Sequence, residues 1–251
     1  MSDVTTIYMN TPPIARTITT AVFLCSVGVY THMLNIEPFV FNVARLLKWP
    51  PDIYLLVTSF LITWPQLSVL FDTYFVYTYL SQLENNSSKF PKKEDMLWYL
   101  IFVASVIIPL NGLLTSGYLL LDAMLIALCY TATQDQRGMK AHFYVVSVPA
   151  QLMPYCLLLT YLLFSGVDRM MVGLTGLIAA HLHDFLTRIY PEFGNGPNLI
   201  PTPGFLSWIM RTPGTRNTVY GSATVPPADK GSRSGPLPNS WRAKGPGRRL
   251  G

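Results

Sequence analysis

Long runs of apolar residues, broken by short polar stretches, fill the first 191 positions of this 251-residue chain. A helix that crosses a bilayer needs about 20 mainly apolar residues, and the runs supply candidates in succession. Thr17–Leu34 is the first, introduced by Pro12-Pro13 and Arg16. The second lies within Ile53–Leu83 and is interrupted by Pro65 and Asp72. Leu97 to Thr133 holds 37 residues with one charge, Asp122. One straight helix of that length overshoots a hydrocarbon core of about 30 Å. Asn111-Gly112 to Ser116-Gly117 therefore predicts a turn, with a third span near 97–114 and a short fourth near 118–133. The fifth span, His142–Phe164, contains Pro149 and Pro154. The sixth, Val167–Ile189, is closed by Pro191. Between the first two, residues 35–52 mix Pro38, Pro50 and Pro51 with Phe39, Val40, Phe41, Leu46 and Leu47, the pattern of a loop lying at the membrane surface.

After residue 191 the pattern changes. Residues 192–251 hold 9 Pro and 10 Gly in 60 positions, too few apolar groups to offset the entropy of ordering them. The chain thus divides into a six-span membrane domain, 1–191, and a flexible tail, 192–251. Only the stretch Pro201–Met210 keeps apolar side chains that suit the bilayer or the bundle.

Composition agrees: half of the residues are hydrophobic and 12% are charged, about half the charge fraction of a soluble domain. The net charge of +5 is uneven. Residues 1–191 carry 10 Lys/Arg against 11 Asp/Glu, and residues 192–251 carry 8 against 2. The tail therefore holds all the positive excess, which anionic lipid alone attracts. Six spans put both termini on one side. Lys89, Lys92, Lys93, Arg137 and Lys140 fall in loops on that side, against Arg45, Lys48 and Arg169 on the other, so both termini are expected in the cytosol. The sequons at Asn85 and Asn86 then face the cytosol and stay unmodified. Met1–Pro13 is polar and lacks the pattern of a cleavable signal, so the first span serves as an uncleaved anchor. Cys25, Cys129 and Cys156 sit in apolar segments without metal-ligand spacing and read as buried small residues.

Ionisable residues inside spans are costly in hydrocarbon and mark the candidate chemistry. They are Asp72, Asp122, His181, His183 and Asp184. Asp72, Asp122 and His181 are the candidates for a polar cavity in the bundle, while His183 and Asp184 read as reaching the interface from a span end. His181 and His183 lie on opposite faces of a helix and form no metal pair. Gly173, Gly176 and Ala180 give the sixth span a small face for close helix packing. Ser116 with His181 is the one conceivable nucleophile–base pair. Ser116, however, sits in a turn, and the position two before it is Leu114, where a nucleophile elbow needs glycine.

The order of these parts resembles the Derlin family, the rhomboid-like pseudoproteases of endoplasmic-reticulum-associated degradation. The resemblance covers about 1–210 and the last seven residues. It rests on Pro12-Pro13-Ile-Ala-Arg16-Thr17, Pro38-Phe-Val-Phe41, Tyr79-Leu-Ser-Gln-Leu-Glu84, Ala150-Gln-Leu-Met-Pro154-Tyr155, Gly176-Leu-Ile-Ala-Ala-His181, Tyr190-Pro191 and Thr202-Pro203. Departures are plain. Tyr54-Leu55 stands where the family carries Trp-Arg, and Gly176-x-x-x-Ala180 replaces Gly-x-x-x-Gly. Leu121-Asp122 occupies the place where active rhomboids keep serine.

The resemblance implies an all-α, six-helix rhomboid-like bundle without hydrolytic activity. It implies residence in the endoplasmic reticulum membrane and a part in retrotranslocating misfolded proteins. The implied partners are a membrane RING ubiquitin ligase, misfolded client proteins, the lipid bilayer and the cytosolic AAA unfoldase valosin-containing protein. No cofactor, metal or nucleic acid is expected. Gly245-Pro-Gly247-Arg-Arg-Leu250-Gly251 matches the core of the short box by which some Derlins bind that unfoldase, with Gly245, Gly247, Leu250 and Gly251 as its residues and the upstream aromatic displaced to Trp241. Glycines let such a backbone lie flat on a groove, and Leu250 anchors it. The alternatives are an active intramembrane serine protease using Ser116 and His181, or a small-molecule transporter using Asp72 or Asp122.

Overall fold

The computed structural model describes residues 11–46, 48–49, 52–86, 89–90, 92–115, 118–134, 136, 138–143, 146–194 and 200–210. These residues are mostly helical. Helix α1, Pro13–Tyr30, opens on a proline, whose fixed φ suits the first helical position and whose missing N–H is not needed there. The next two N–H groups, of Ile14 and Ala15, donate to the Glu84 carboxylate at 3.3 and 2.9 Å. That carboxylate also pairs with Lys93 at 3.7 Å. At the far end His32 takes φ 59°, and the amides of Met33 and Leu34 both turn back to the Gly28 carbonyl at 2.9 Å. Leu34 therefore belongs to the cap, and the helix ends before the expected limit. Leu34 packs close over Gly28, and a Cβ there would stand 2.7 Å from Leu34 Cδ1 and push that side chain aside.

Two single-turn helices follow, α2 (Val43–Leu46) and α3 (Leu55–Thr58). Their loop is tied to the bundle by Phe41 N–H to the Tyr118 carbonyl, 2.8 Å, and Leu120 N–H to the Ser59 carbonyl, 3.1 Å. Met33, Trp49 and Val57 face outward, so the outer surface here is apolar. Helix α4, Ser68–Asn86, starts after Pro65, which precedes the span instead of interrupting it. Helix α5, Lys93–Leu114, ends where the third span was expected to end and keeps Asn111 and Gly112 in its last turn; Ser116 and Gly117 lie outside the described residues. Helix α6 covers Leu121–Thr133.

The expected fifth span needs correction. Its first third is an antiparallel hairpin, β1 (Lys140–Phe143) and β2 (Val146–Pro149), with His142 opposite Ser147. One 3-10 turn, Ala150–Leu152, leads into helix α7, Met153–Ser165, which has Pro154 in its first turn. Proline cannot donate to a continuing ladder, so Pro149 ends the strand and Pro154 starts the helix. Gly166, at φ 88°, reverses the chain into helix α8, Val167–Asp184. Pro191 does not close this span. A π-turn, Phe185–Ile189, widens the helix and takes up the proline, and α9, Tyr190–Gly194, continues beyond it. The last described helix, α10 (Gly204–Met210), returns to α5, with Leu206 buried and Thr202 Oγ1 donating to Asp95 Oδ1 at 2.6 Å.

Helix α6 is the centre. It packs on α4, α5, α7 and α8, and all its residues except Met124 and Tyr130 are buried. A helix apolar all round is one enclosed by protein. The hydrogen bonds fix the directions. The start of α1 meets the end of α4 at Glu84. Tyr99, near the start of α5, bonds Thr131 Oγ1 near the end of α6 at 2.7 Å. Both pairs are antiparallel, while Asp122 and Arg169 join the starts of α6 and α8. Among the described residues, three stretches are long and apolar enough to cross a membrane: Pro13–Tyr30, Lys93–Leu114 and Val167–Glu192. Shorter apolar helices at Leu121–Thr133 and Ala150–Ser165 complete the core. Residues 211–251 lie outside the described residues.

Candidate functional site

The starts of α4, α6 and α8 converge on one guanidinium. Arg169, in the first turn of α8, donates from Nε and Nη2 to both oxygens of Asp122 at 2.6 and 2.8 Å. Nη2 also reaches Asp72 Oδ2 at 2.9 Å, and Nη1 reaches Ser68 and Ser165 at 3.3 and 3.2 Å. All five donors of the fork thus have acceptors. Its carbon lies 4.3 Å from the centre of the Tyr161 ring and 5.4 Å from that of Trp64. Arg169, Asp72 and Asp122 are 6%, 4% and 2% exposed. Desolvating three charges is expensive, and only a complete hydrogen-bond set offsets it. Two carboxylates against one cation still leave one negative charge in formal excess.

A cavity of about 580 Å³ adjoins this cluster, between the start of α4 and the end of α7. Arg169 and Asp72 form its inner wall, and Trp64, Phe71, Tyr161 and Phe164 give it aromatic sides. Helices α4 and α7 each rest on α6, so the space between them is open to the flank of the bundle.

The sequence flagged both aspartates but not their partner. Arg169 was counted as a loop cation, two residues into a predicted span. The signal was present: two acids inside a membrane domain require a cation, and Arg169 was the basic residue nearest the same ends of the predicted spans. Taking Arg169 out of the loops leaves Arg45 and Lys48 as that side's basic residues.

His181 does not join the cavity and is corrected as a candidate. It lies about four turns beyond the start of α8, is exposed, and meets the Tyr130 hydroxyl through Nδ1 at 2.9 Å. Thr115 and Tyr118, which flank Ser116, stand at the opposite end of the bundle from His181, where α6 begins. His183 and Asp184 are buried, contrary to the expectation that they reach the interface. His183 sits edge-on to Tyr99, 4.8 Å between ring centres, and beside Phe102. Asp184 accepts from Gln134 Nε2 at 2.8 Å and Arg188 at 3.2 Å, and pairs with Lys89 at 3.7 Å. These contacts pin the loop before α5 to the end of α8.

The small face of α8 is placed against α6 and α7. A Cβ on Gly176 meets the Ala123 carbonyl oxygen at 1.8 Å, and one on Gly173 meets Leu158 Cδ2 at 2.9 Å. Ala180 is fully buried. The box residues Gly245, Gly247, Leu250 and Gly251 lie outside the described residues.

Comparison with known proteins gives one consistent answer. The sequence profile of the Der1-like family matches residues 11–204. Derlin-2.2 of Arabidopsis thaliana is 28% identical over 214 residues, 79% of this chain and 84% of the plant protein. Derlin-1.1 of Zea mays is 27% identical over 241 residues, covering 94% and 96%. The "Probable derlin-1 homolog" of Dictyostelium discoideum is 29% identical over 149 residues, and the match spans less than two thirds of each chain, 59% and 60%.

Proposed function

The chain belongs to the Der1-like family of multi-pass membrane proteins, and on that premise we propose that it is a non-catalytic component of endoplasmic-reticulum-associated degradation. In this reading it crosses the endoplasmic reticulum membrane six times with both termini in the cytosol. It helps to move misfolded proteins out of that membrane. The supporting observation is the flank opening between α4 and α7, with buried charged groups at its back. Hydrocarbon cannot satisfy the backbone of a partly unfolded client, and a polar recess inside the membrane domain can.

Thinning of the bilayer is the second part. Helix α7 has 13 residues, about 20 Å of helix against a core of about 30 Å. Its outer face carries Leu159, Leu163 and Phe164, so the mismatch falls on lipid. The third part is recruitment. The tail holds the AAA unfoldase through Gly245, Gly247, Leu250 and Gly251, beside a RING ubiquitin ligase. Read as a flexible linker, the roughly 35 residues between α10 and the box reach roughly 30–35 Å and raise the local concentration of the motor. Separation of His181 from the residues flanking Ser116, with Asp122 committed to Arg169, favours this reading over a serine protease.

The test is a chase of a misfolded membrane client in cells in which this chain is depleted and then restored. Depletion is expected to prolong the client's lifetime, and the intact chain to restore it. Deletion of 245–251 is expected to abolish copurification of the unfoldase and to slow client extraction. Normal extraction after that deletion removes the tethering step, and a normal client lifetime after depletion removes the whole assignment.

A further inference from the structure

The cavity beside Arg169 holds polar atoms that the bundle does not use. Asp72 gives one oxygen to Arg169, and its other oxygen has no protein partner among the described residues. The wall therefore offers a carboxylate oxygen without a protein partner and aromatic surface together.

Charge selects the sign of the ligand. The cluster carries a formal excess of one negative charge, and the cation already present has every donor engaged. A cationic group is attracted both by Asp72 and by the faces of the surrounding rings. Gln66, Ser68 and Ser165 on the same wall supply hydrogen-bond donors for an anionic oxygen. A volume of about 580 Å³ suits a small polar head, within the roughly 300–1,000 Å³ of ligand pockets. Position selects the source. The cavity lies where α4 and α8 begin and α7 ends, and Phe164, at 84% exposure, stands on its outer rim. In the six-span reading these helix ends stand at the bilayer's polar layer, and the exposed Phe164 faces lipid.

We propose that this cavity binds the headgroup of a zwitterionic phospholipid, with the ammonium against Asp72 and the aromatic walls and the phosphodiester on the hydroxyl and amide donors. The inference goes beyond the degradation role and does not depend on it, since it concerns binding by the purified protein without client, ligase or unfoldase. The lipid is a resting occupant that closes the flank opening with a group able to leave.

The test is native mass spectrometry of the full chain released from detergent with added phospholipids of identical acyl chains. Phosphatidylcholine and phosphatidylethanolamine are expected to leave a one-to-one adduct about tenfold more persistent than phosphatidylglycerol does. Asp72→Asn, which leaves Arg169 paired with Asp122, is expected to remove that preference. Phe164→Ala, at an exposed position, is expected to weaken both zwitterionic adducts several-fold with the melting temperature unchanged, so loss of binding is separable from loss of fold. Preference for the choline form assigns the larger share to the rings, and preference for the ethanolamine form assigns it to Asp72; either supports the site. Equal retention of phosphatidylglycerol, or zwitterionic adducts unaffected by both substitutions, overturns it. So does a lysine-bearing transmembrane peptide that crosslinks at position 164 undiminished by saturating phosphatidylcholine.

Discussion

Helices α6 and α7 have thirteen residues each and are both too short for a bilayer, yet they occupy opposite environments. Helix α6 is wrapped on every side by α4, α5, α7 and α8 and touches little lipid. Its length is free to follow the protein, and its side chains carry Asp122, Cys129, Thr131 and Thr133 at no cost to a lipid boundary. Helix α7 buries Met153, Leu157 and Tyr161 and turns Tyr155, Leu159 and Leu163 outward. The same shortness is internal packing in one and, in the proposed membrane placement, hydrophobic mismatch in the other. Length alone therefore does not identify a membrane-thinning element; length on a lipid-facing helix does.

The comparison breaks first at Arg169. Arg169→Met leaves Asp72 and Asp122 buried and unpaired, with an expected loss of about 3–5 kcal/mol. Thermal melting in detergent and the steady-state level in cells read this out. Adding Asp72→Asn and Asp122→Asn together is expected to recover most of it, and a single mutant that melts like the parent denies α6 its central role. Next is Gly176→Ala, where the new Cβ meets backbone of α6 at 1.8 Å and nothing flexible yields. About 3 kcal/mol is expected, the upper end for overpacking. Gly173→Ala meets a leucine side chain that moves aside, so about 1 kcal/mol is expected. Smallest in stability is Leu163→Ala on the outer face of α7, within about 0.5 kcal/mol. One further turn of leucines after Leu163 lengthens α7 by about 6 Å. That insertion is expected to shift the most stabilising lipid toward longer acyl chains, measured by melting in liposomes of graded thickness. An unchanged optimum shows that α7 does not set the mismatch.

Hydropathy located α1, α5, α6 and α8, because each is a single apolar run ended by polar or turn residues. It misjudged the fifth span, where Tyr144 to Val148 reads as apolar whether strand or helix, and only Pro149 and Pro154 carried the distinction. Pro191 was read as a stop because sequence patterns do not announce a π-turn that absorbs it. Asp72 and Asp122 were visible as acids inside apolar runs, and of the three candidates Asp72 alone lines the cavity. Arg169 was hidden by its place near a span end, where a cation is ordinarily solvated. His181 misled because its helix face depends on how α8 rotates against α6. The contact at Gly176 sets that rotation and turns the His181 ring outward.

The Glu84 carboxylate that holds the first amides of α1 comes from about 70 residues further along the chain. Synthesis runs at roughly 5–20 residues per second, so the first helix waits several seconds for the group that completes its beginning. During that interval its leading N–H groups have only water or lipid headgroups to turn to. The start of the protein is finished by its middle.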